Sequence, residues 1–189
     1  MRIIGGSLKG SKLHFPEDDK TRPLKDLVRE SIFNLIKHSN KITVKLDQSN
    51  ILDIYAGTGS FGLECLSRGA KNISFIENNK NSIKILEKNI DKLKVKKRIK
   101  LFSEDALKII DDKNNFDSSF DLIFCDPPYK DMNIKKIIEL IFKKNLLKKE
   151  GILILHRNKK TIDSLPNFFS TIEIRTYGIS QIIFGKFLT

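Results

Sequence analysis

The chain has 189 residues, of which 40% are hydrophobic and 31% are charged. These values suit a single folded domain and exclude an intrinsically disordered chain. Lys and Arg total 35 against 23 acidic residues, a net charge of +12, which favours a polyanionic partner such as nucleic acid. Because 28 of the 35 basic residues are lysines, a bias that genomic base composition can produce, the charge alone does not decide the partner.

No apolar run approaches the ~20 residues that a membrane-spanning helix needs, and charges interrupt the first fifteen residues, unlike the apolar centre of a signal peptide. Cys65 and Cys125 lie far apart, a spacing typical of neither a disulfide framework nor a zinc site. We therefore expect a cytoplasmic monomer without membrane association and without a metal.

Residues 1–49 differ from the rest of the chain and predict an N-terminal extension. Residues 2–6 and 9–13 are two strand-like runs joined by a glycine-bearing turn, which predicts a short β-hairpin. Pro23 could then begin a helix, since apolar residues recur at helical spacing up to Ile36. We expect this extension to take no part in closing the core of the second unit, residues 50–189.

From residue 51 onward, short apolar runs alternate with amphipathic helical stretches. This alternation predicts an α/β fold, a mostly parallel, doubly wound Rossmann-like sheet with helices on both faces. The last two apolar runs leave no room for a helix between them, and so predict an antiparallel hairpin at one edge. The predicted strands are 51–55, 73–76, 99–102, 122–125, 152–155, 168–177 and 179–187, and the clearest helices are 82–93 and 134–147.

The first predicted strand leads into a glycine-rich loop, DIYAGTGSFG, at residues 53–62. Glycines allow a backbone to approach a ligand closely beside a helix N-terminus. Gly57, Gly59 and Gly62 fit the dinucleotide fingerprint, and Glu77 ends the next strand, where an acid binds ribose hydroxyls. On this motif alone, NAD and another adenosine-bearing cofactor both remain open.

Asp53 ends the first strand four residues before Gly57, where a pyrophosphate would approach. A carboxylate repels phosphate but attracts an ammonium group, which favours S-adenosylmethionine; the alternative is that Asp53 only caps the following turn. Asp105 follows the third strand and could accept a hydrogen bond from an adenine amine. With Glu77 and Asp126, these acids follow four successive strands and predict one acidic rim.

The fourth strand ends in Asp126-Pro127-Pro128-Tyr129. At the carboxyl end of a parallel strand this loop faces the ligand crevice, and its two prolines stiffen it and remove two N–H donors. We expect an exocyclic amine to donate to Asp126 and to the Pro127 carbonyl while Tyr129 stacks on the base. Such acceptors would direct the amine lone pair toward a sulfonium methyl group. The alternative is a plain Pro-Pro turn.

Together these motifs resemble the class I methyltransferases that act on exocyclic amines. The sequences RIIGG (2–6), KGSKL (9–13) and TRPLKDLVRESIFN (21–34) narrow the resemblance to the RsmD-like enzymes, which methylate the N2 amine of a guanine in 16S ribosomal RNA. The resemblance implies S-adenosylmethionine as cofactor, and 16S ribosomal RNA or a small-subunit assembly intermediate as partner. The sequence departs from the family at Leu24, where Thr is usual, and at His156, where an acid usually ends the fifth strand. We interpret His156 as a structural or surface residue.

The resemblance and the motifs assign site residues in three groups. The target base would contact Asp126, Pro127, Pro128 and Tyr129. The cofactor would contact Thr21, Arg22, Pro23, Asp53, Ala56, Gly57, Thr58, Gly59, Glu77, Asn78, Asp105 and Ala106. RNA would contact the cations of the N-terminal hairpin and of the start of the following helix, Arg2, Lys9, Lys12, Arg22 and Arg29.

Three other functions remain open from the residues. An adenine-N6 methyltransferase acting on RNA or DNA would use the same acceptors, an NAD-dependent oxidoreductase would use the same glycine loop and Glu77, and a catalytically silent RNA-binding assembly factor could retain the fold. The lysine-rich stretches 84–100 and 130–160 are interpreted as solvated helix faces.

Overall fold

A computed structural model describes residues 1–16, 26–128 and 133–188 of the chain. The helices that it describes are α1 (Asp26–His38), α2 (Ser60–Ser67), α3 (Lys80–Leu93), α4 (Ala106–Asp111) and α5 (Ile134–Lys143). The strands are β1 (Asn50–Ile54), β2 (Asn72–Ile76), β3 (Ile99–Phe102), β4 (Phe120–Cys125), β5 (Leu147–Asn158), β6 (Phe169–Tyr177) and β7 (Ser180–Phe187).

The seven strands form one sheet in the order β3-β2-β1-β4-β5-β7-β6. The first five strands run parallel, and β7 pairs antiparallel with both β5 and β6. The predicted α/β class and the antiparallel edge hairpin are therefore confirmed. Since the strand order reverses between the two interior strands β1 and β4, the carboxyl ends of these two strands flank the crevice where ligands bind in such folds.

Local sequence sets where each helix leaves this edge of the sheet. Asn79 caps α3, because its side-chain oxygen accepts from the backbone N–H groups of Asn81 and Ser82 at 3.0 Å each. Asp105 caps α4 by accepting from the Leu107 N–H at 3.0 Å. Such caps satisfy amide groups that the helix itself leaves unpaired.

Helix α2 is buried along its whole length. The ring of Phe61 stacks between those of Phe33 and Phe124, at centroid distances of 5.2 and 3.9 Å, and each buried ring contributes about 1.5–3 kcal/mol relative to exposure. Ile3 and Leu13 of the N-terminal segment, which we define as residues 1–16, belong to the same core cluster. The expectation that the extension takes no part in closing the core is therefore wrong.

The two arms of the predicted N-terminal hairpin are joined by an antiparallel bridge between Arg2 and Lys12 and by backbone hydrogen bonds such as the one from the Ile3 N–H to the Ser11 carbonyl at 3.0 Å. Glu64 of α2, which is fully buried, attaches this segment to the rest of the molecule. The two carboxylate oxygens of Glu64 accept from the backbone N–H groups of Ile4 and Gly5 at 2.7 and 2.8 Å. Helix α2 thus holds the segment in addition to the segment's own backbone pairing.

One predicted helix ends earlier than its sequence pattern indicated. The apolar pattern predicted a helix over 134–147, whereas α5 ends at Lys143. Asn145 takes a positive φ of 52°, and Leu147 already pairs with Phe120 of β4. Leu146 and Leu147, which extended the helical pattern, therefore belong to the turn and to β5. Both leucines are buried there, as they would be on the inner face of a helix.

Candidate active site

Glycine is needed for different structural reasons at the three glycine positions that follow β1. A side chain on Gly57, whose φ is +56°, would meet nothing within 4 Å. A Cβ on Gly59 would lie 2.3 Å from Leu86 Cδ1, and one on Gly62 would lie 2.4 Å from the Phe75 ring. Gly59 and Gly62 are therefore required by packing, whereas Gly57 leaves open space at the backbone, as a bound cofactor needs.

The residue that begins this loop has an unusual backbone. Tyr55 has a φ of +62°, in the left-handed region that bulky residues rarely adopt. Such conformations persist where the surrounding structure imposes them, and they concentrate at ligand sites. The sharp turn after β1 is therefore held by its surroundings rather than by the preference of its own residue.

Asp53 lies at the centre of the site and is 1% exposed. Its Oδ2 accepts from the Gly62 N–H at 2.9 Å, which is the turn contact that the sequence left as an alternative. Burial is the main reason that the pKa of Asp53 rises to about 8, and the charges of Asp126 and Glu77 raise it further against the opposing effect of the Gly62 N–H. Three of the four acids of the predicted rim, Asp53, Glu77 and Asp126, therefore share one electrostatic environment.

Glu77 shapes the glycine loop directly. Its Oε2 accepts from the Gly57 N–H at 2.7 Å, and its Oε1 accepts from the N–H groups of Asn78 and Asn79 at 2.9 and 2.8 Å. This carboxylate links the loops that follow β1 and β2. Any hydrogen bond to ribose hydroxyls, the role predicted for Glu77, would be made in addition to these three backbone contacts.

Some of the remaining predicted cofactor residues pack inside the protein, and others lie at the carboxyl edge of the sheet. Thr58 is buried, and its carbonyl accepts from the Asn89 side chain at 3.0 Å. The Ala106 side chain packs in the core on the other face of the sheet, so only its backbone is available to a ligand. Asp105 uses Oδ1 to cap α4, while Ala56, in the glycine loop, donates its N–H to the Ile76 carbonyl at 3.1 Å.

Asp126 follows β4 at the same edge, and its N–H donates to the Ile54 carbonyl of β1 at 3.2 Å. The Asp126 side chain is 24% exposed, and its Oδ1 lies 2.8 Å from Nδ1 of His156. Pro127 is buried and Pro128 is exposed. The contact between Asp126 and His156 was not anticipated, and it excludes the surface position that we had allowed for His156, which is 6% exposed.

Arg29 requires a correction among the predicted RNA contacts. It is fully buried and donates to the Arg2 carbonyl at 2.6 Å and to Asp26 at 2.9 Å. Burial lowers the pKa of its guanidinium. Because its charge is used inside the protein, we withdraw Arg29 from the RNA-contacting group. Arg2, Lys9 and Lys12 are exposed, as that role requires.

Two further buried polar residues were missed by the sequence analysis. Asn89 of α3 bridges the N-terminal segment and the glycine loop: it accepts from the His14 N–H at 2.7 Å and donates to the carbonyls of His14 and Thr58 at 3.2 and 3.0 Å. Glu64, described above, is the other. Each lies on the apolar face of its helix. A polar residue at such a position is expected to be buried and paired, and this pattern could have identified both residues from the sequence.

Four predicted site residues, Thr21, Arg22, Pro23 and Tyr129, lie outside the described residues. Within residues 1–16, 26–128 and 133–188, no group of three or more His, Cys, Asp or Glu side chains is arranged to hold a metal ion. Among the helices of the same residues, none has the length and apolar character to cross a membrane.

A cavity of about 300 Å³ opens at the opposite edge of the sheet, near the amino ends of β1, β2 and β3. Two of its lining cations are engaged within the protein, since Arg98 donates to the backbone carbonyls of Ala70 and Lys71, and Lys100 donates to the Asn115 carbonyl. The acids and the open backbone at Gly57 lie at the carboxyl edge, so we place the candidate site there.

The strand order, the antiparallel edge hairpin and the acid-lined glycine loop define a Rossmann-like domain of the methyltransferase class. The chain belongs to the family described as Conserved hypothetical protein 95, whose model matches residues 1–186.

Similar proteins agree with this placement. The chain is 31% identical to the ribosomal RNA small subunit methyltransferase D of Haemophilus influenzae, over 95% of this chain and 90% of that protein. It is 30% identical to YlbH of Bacillus subtilis, named as a candidate rRNA methyltransferase, over 98% of both chains. The solved structure of yhhF from Escherichia coli, described as a candidate methyltransferase, is 26% identical, has a TM-score of 0.83 and covers 99% of this chain and 97% of its own. The predicted resemblance to RsmD-like enzymes is thereby confirmed.

Proposed function

We propose that this protein transfers a methyl group from S-adenosylmethionine to the exocyclic N2 amine of a guanine in small-subunit (16S) ribosomal RNA. The observation that carries the proposal is that the glycine loop after β1 and the Asp-Pro-Pro-Tyr motif after β4 lie at the same edge of the sheet. Asp126, which opens the Asp-Pro-Pro-Tyr sequence, bonds to the end of β1 through its N–H and raises the pKa of Asp53 beside the glycine loop. The names of the relatives support the RNA substrate.

The residues of the cleft fit S-adenosylmethionine. A Cβ on Gly57 would meet nothing within 4 Å, which suits a cofactor that approaches the backbone closely, and Glu77 and Asp105 border the same edge. A cationic amino-acid tail suits Asp53, because an adjacent positive charge would offset the burial that raises the pKa of this carboxyl. When bound, S-adenosylmethionine supplies a methyl group on a positively charged sulfur. A pyrophosphate would instead lie beside the acidic residues Glu77 and Asp126, so the site disfavours NAD.

The chain's own part in the reaction is to hold the amine. An exocyclic amine of a purine is weakly nucleophilic, because its lone pair is delocalised into the ring. We propose that Asp126 and the Pro127 carbonyl accept its two hydrogens and that Tyr129 stacks on the base, which fixes the nitrogen for in-line attack. With S-adenosylmethionine bound, the nitrogen would face the methyl group on its sulfur, and the proton that the nitrogen sheds on methylation would pass to Asp126 or to water.

The N-terminal segment supplies the surface that we propose for RNA. Arg2, Lys9 and Lys12 are exposed on it, while Ile3 and Leu13 anchor it in the core. Asn89 joins the same segment to the glycine loop. RNA held by these cations would therefore rest on a support rigidly tied to the cofactor loop.

The first test is transfer of a labelled methyl group from S-adenosylmethionine to unmodified 16S RNA, to small ribosomal subunits and to DNA, followed by mass spectrometry of the nucleosides. We expect N2-methylguanosine from an RNA-containing substrate and none from DNA. N6-methyladenosine would overturn the guanine assignment in favour of the adenine alternative. Absence of transfer to any substrate would favour a silent assembly factor.

A second test addresses the RNA surface. Replacing Arg2, Lys9 and Lys12 by Gln should raise the KM for RNA by about tenfold or more and flatten its salt dependence, since each lost phosphate contact removes counterion release. The control is the same loss of three charges on the exposed face of α3, at Lys84, Lys88 and Lys92. Equal effects of the two triple variants would show that net charge, not this surface, determines RNA binding.

A further inference from the structure

His156 occupies the position across the sheet from Asp126. In the parallel pairing of β4 and β5, Cys125 stands opposite Leu155, so the next residues along the two strands, Asp126 and His156, are brought side by side. On its other side, His156 pairs with Ile182 of β7. The backbone of His156 is therefore fixed by strands on both sides, and a fixed backbone gives its imidazole little freedom to move.

The contact between the two side chains is close and largely shielded from water. Nδ1 of His156 lies 2.8 Å from Oδ1 of Asp126, and the two side chains are 8% and 24% exposed. A carboxylate accepts hydrogen bonds, so we assign the hydrogen of this contact to Nδ1. In this assignment the imidazole donates to Asp126.

We infer that His156 is a positioning residue for methyl transfer: it holds Oδ1 of Asp126, so that Oδ2 is turned to the amine of the target base. This inference rests on the proposed function. A carboxylate at the end of a strand can rotate about its side-chain bonds, and a misdirected acceptor loses the alignment on which transfer depends. A fixed donor on one oxygen removes that freedom, as outer hydrogen bonds do for many functional side chains.

The test compares two substitutions of His156 in the full chain. Asn places its amide nitrogen close to the position of imidazole Nδ1 and keeps a donor, whereas Leu fills similar volume without one. We expect His156→Leu to lower the rate of single-turnover transfer by about tenfold to a hundredfold, with the Kd for S-adenosylmethionine changed by less than about twofold. His156→Asn should stay within about threefold of the wild-type rate. His38→Leu, at an exposed histidine, is the control and should change neither quantity.

The outcomes separate the possible failures. No transfer by the wild type overturns the proposed function and this inference with it. Transfer by the wild type that His156→Leu leaves unchanged, or that His156→Asn lowers as much as His156→Leu, overturns the inference alone. A parallel loss of cofactor affinity in His156→Leu would show a merely structural role and would also overturn it.

A spectroscopic measurement on the wild-type chain tests the inference even if His156→Leu fails to fold. The chain has three histidines, and His14 and His38 are exposed, so the third imidazole can be assigned by comparison with His156→Asn. Nitrogen-15 NMR of the wild-type chain should show His156 with its hydrogen on Nδ1, and Asp126→Ala should abolish that preference. A hydrogen found on Nε2, with Nδ1 bare, would overturn the inference.

Discussion

Replacing Asp53 by Asn tests the electrostatics on which the cofactor site depends. The pKa of Asp53 is raised from 3.8 to about 8, mainly by burial and then by the charges of Asp126 and Glu77. Between these two values the folded protein keeps a proton on Asp53 that the unfolded chain releases. The stability of the wild type therefore falls as pH rises through this range, because the folded state binds more protons. Asn keeps an oxygen for the Gly62 N–H and cannot ionise.

The magnitude follows from the proton count. One extra proton in the folded state gives a slope of about 1.4 kcal/mol per pH unit, so Asp53 should cost about 2.5 kcal/mol of stability between pH 5.5 and 7.5. The free energy of unfolding of Asp53→Asn, minus that of the wild type, should rise by this amount over the same range. Other titrating groups cancel in the difference, because both proteins carry them.

The assay is urea unfolding followed by circular dichroism at pH 5.5, 6.5 and 7.5. The control is Asp117→Asn, whose carboxylate is 90% exposed and therefore lacks the burial that acts on Asp53. Its difference from the wild type should be the same at each pH. A pH-independent difference for Asp53→Asn as well would refute the reasoning, since Asp53 would then be ionised in the folded protein.

The same substitution also bears on the cofactor. If Asp53 faces the ammonium group of S-adenosylmethionine, binding should ionise this carboxyl, and about one proton should be released at pH 6.5. Calorimetry in two buffers of different ionisation enthalpy measures that proton. Asp53→Asn should release none and bind about 10- to 100-fold more weakly, as expected for loss of a hydrogen bond to a charged group. Binding without proton release by the wild type would place the ammonium group elsewhere.

Three further predictions concern the support of the site. Glu64→Gln should lower the free energy of unfolding by about 1.5–3 kcal/mol, because a buried acceptor of charge-assisted hydrogen bonds is lost; an unchanged urea midpoint would contradict the attachment of the N-terminal segment described above. Asn89→Ala should raise the KM for RNA and also weaken cofactor binding in calorimetry, and an effect on neither would show that its bridge is only structural. Gly57→Ala should weaken the cofactor at least tenfold with a stability loss of about 1 kcal/mol, whereas Gly62→Ala, which drives a methyl group against Phe75, should cost about 1–3 kcal/mol in urea unfolding.

The parts of the fold that the sequence predicted are those encoded by local patterns. Apolar runs separated by amphipathic stretches identified the parallel strands, and the absence of room for a helix before Ile179 identified the edge hairpin. The end of α5 was missed because Leu146 and Leu147 continue a helical pattern while serving a turn and a strand. A buried strand and a buried helix both select leucine, so hydrophobicity alone cannot mark the boundary between them.

The site shows a similar division. Asp53, Glu77 and Asp126 could be predicted because each follows an apolar run, and parallel strands bring their carboxyl ends to one edge. Arg29 could not be separated from the surface cations, because its burial depends on the N-terminal segment folding back onto α1. Sequence shows the type of a charged residue, whereas its exposure is a property of long-range packing.

The missed residues share one physical property, which explains both their burial and their importance. Glu64, Asn89 and His156 are each buried in the fold, where an unpaired polar group would be costly. Each is satisfied by a partner far along the chain: the N-terminal segment for Glu64 and Asn89, and Asp126 for His156. Such contacts form only when the extension, the glycine loop and the strand ends are all in place. They therefore make the geometry of the site depend on the folding of the whole chain. An apolar side chain of similar volume at any of the three positions would leave the core packed but would remove the contact that positions the site residues.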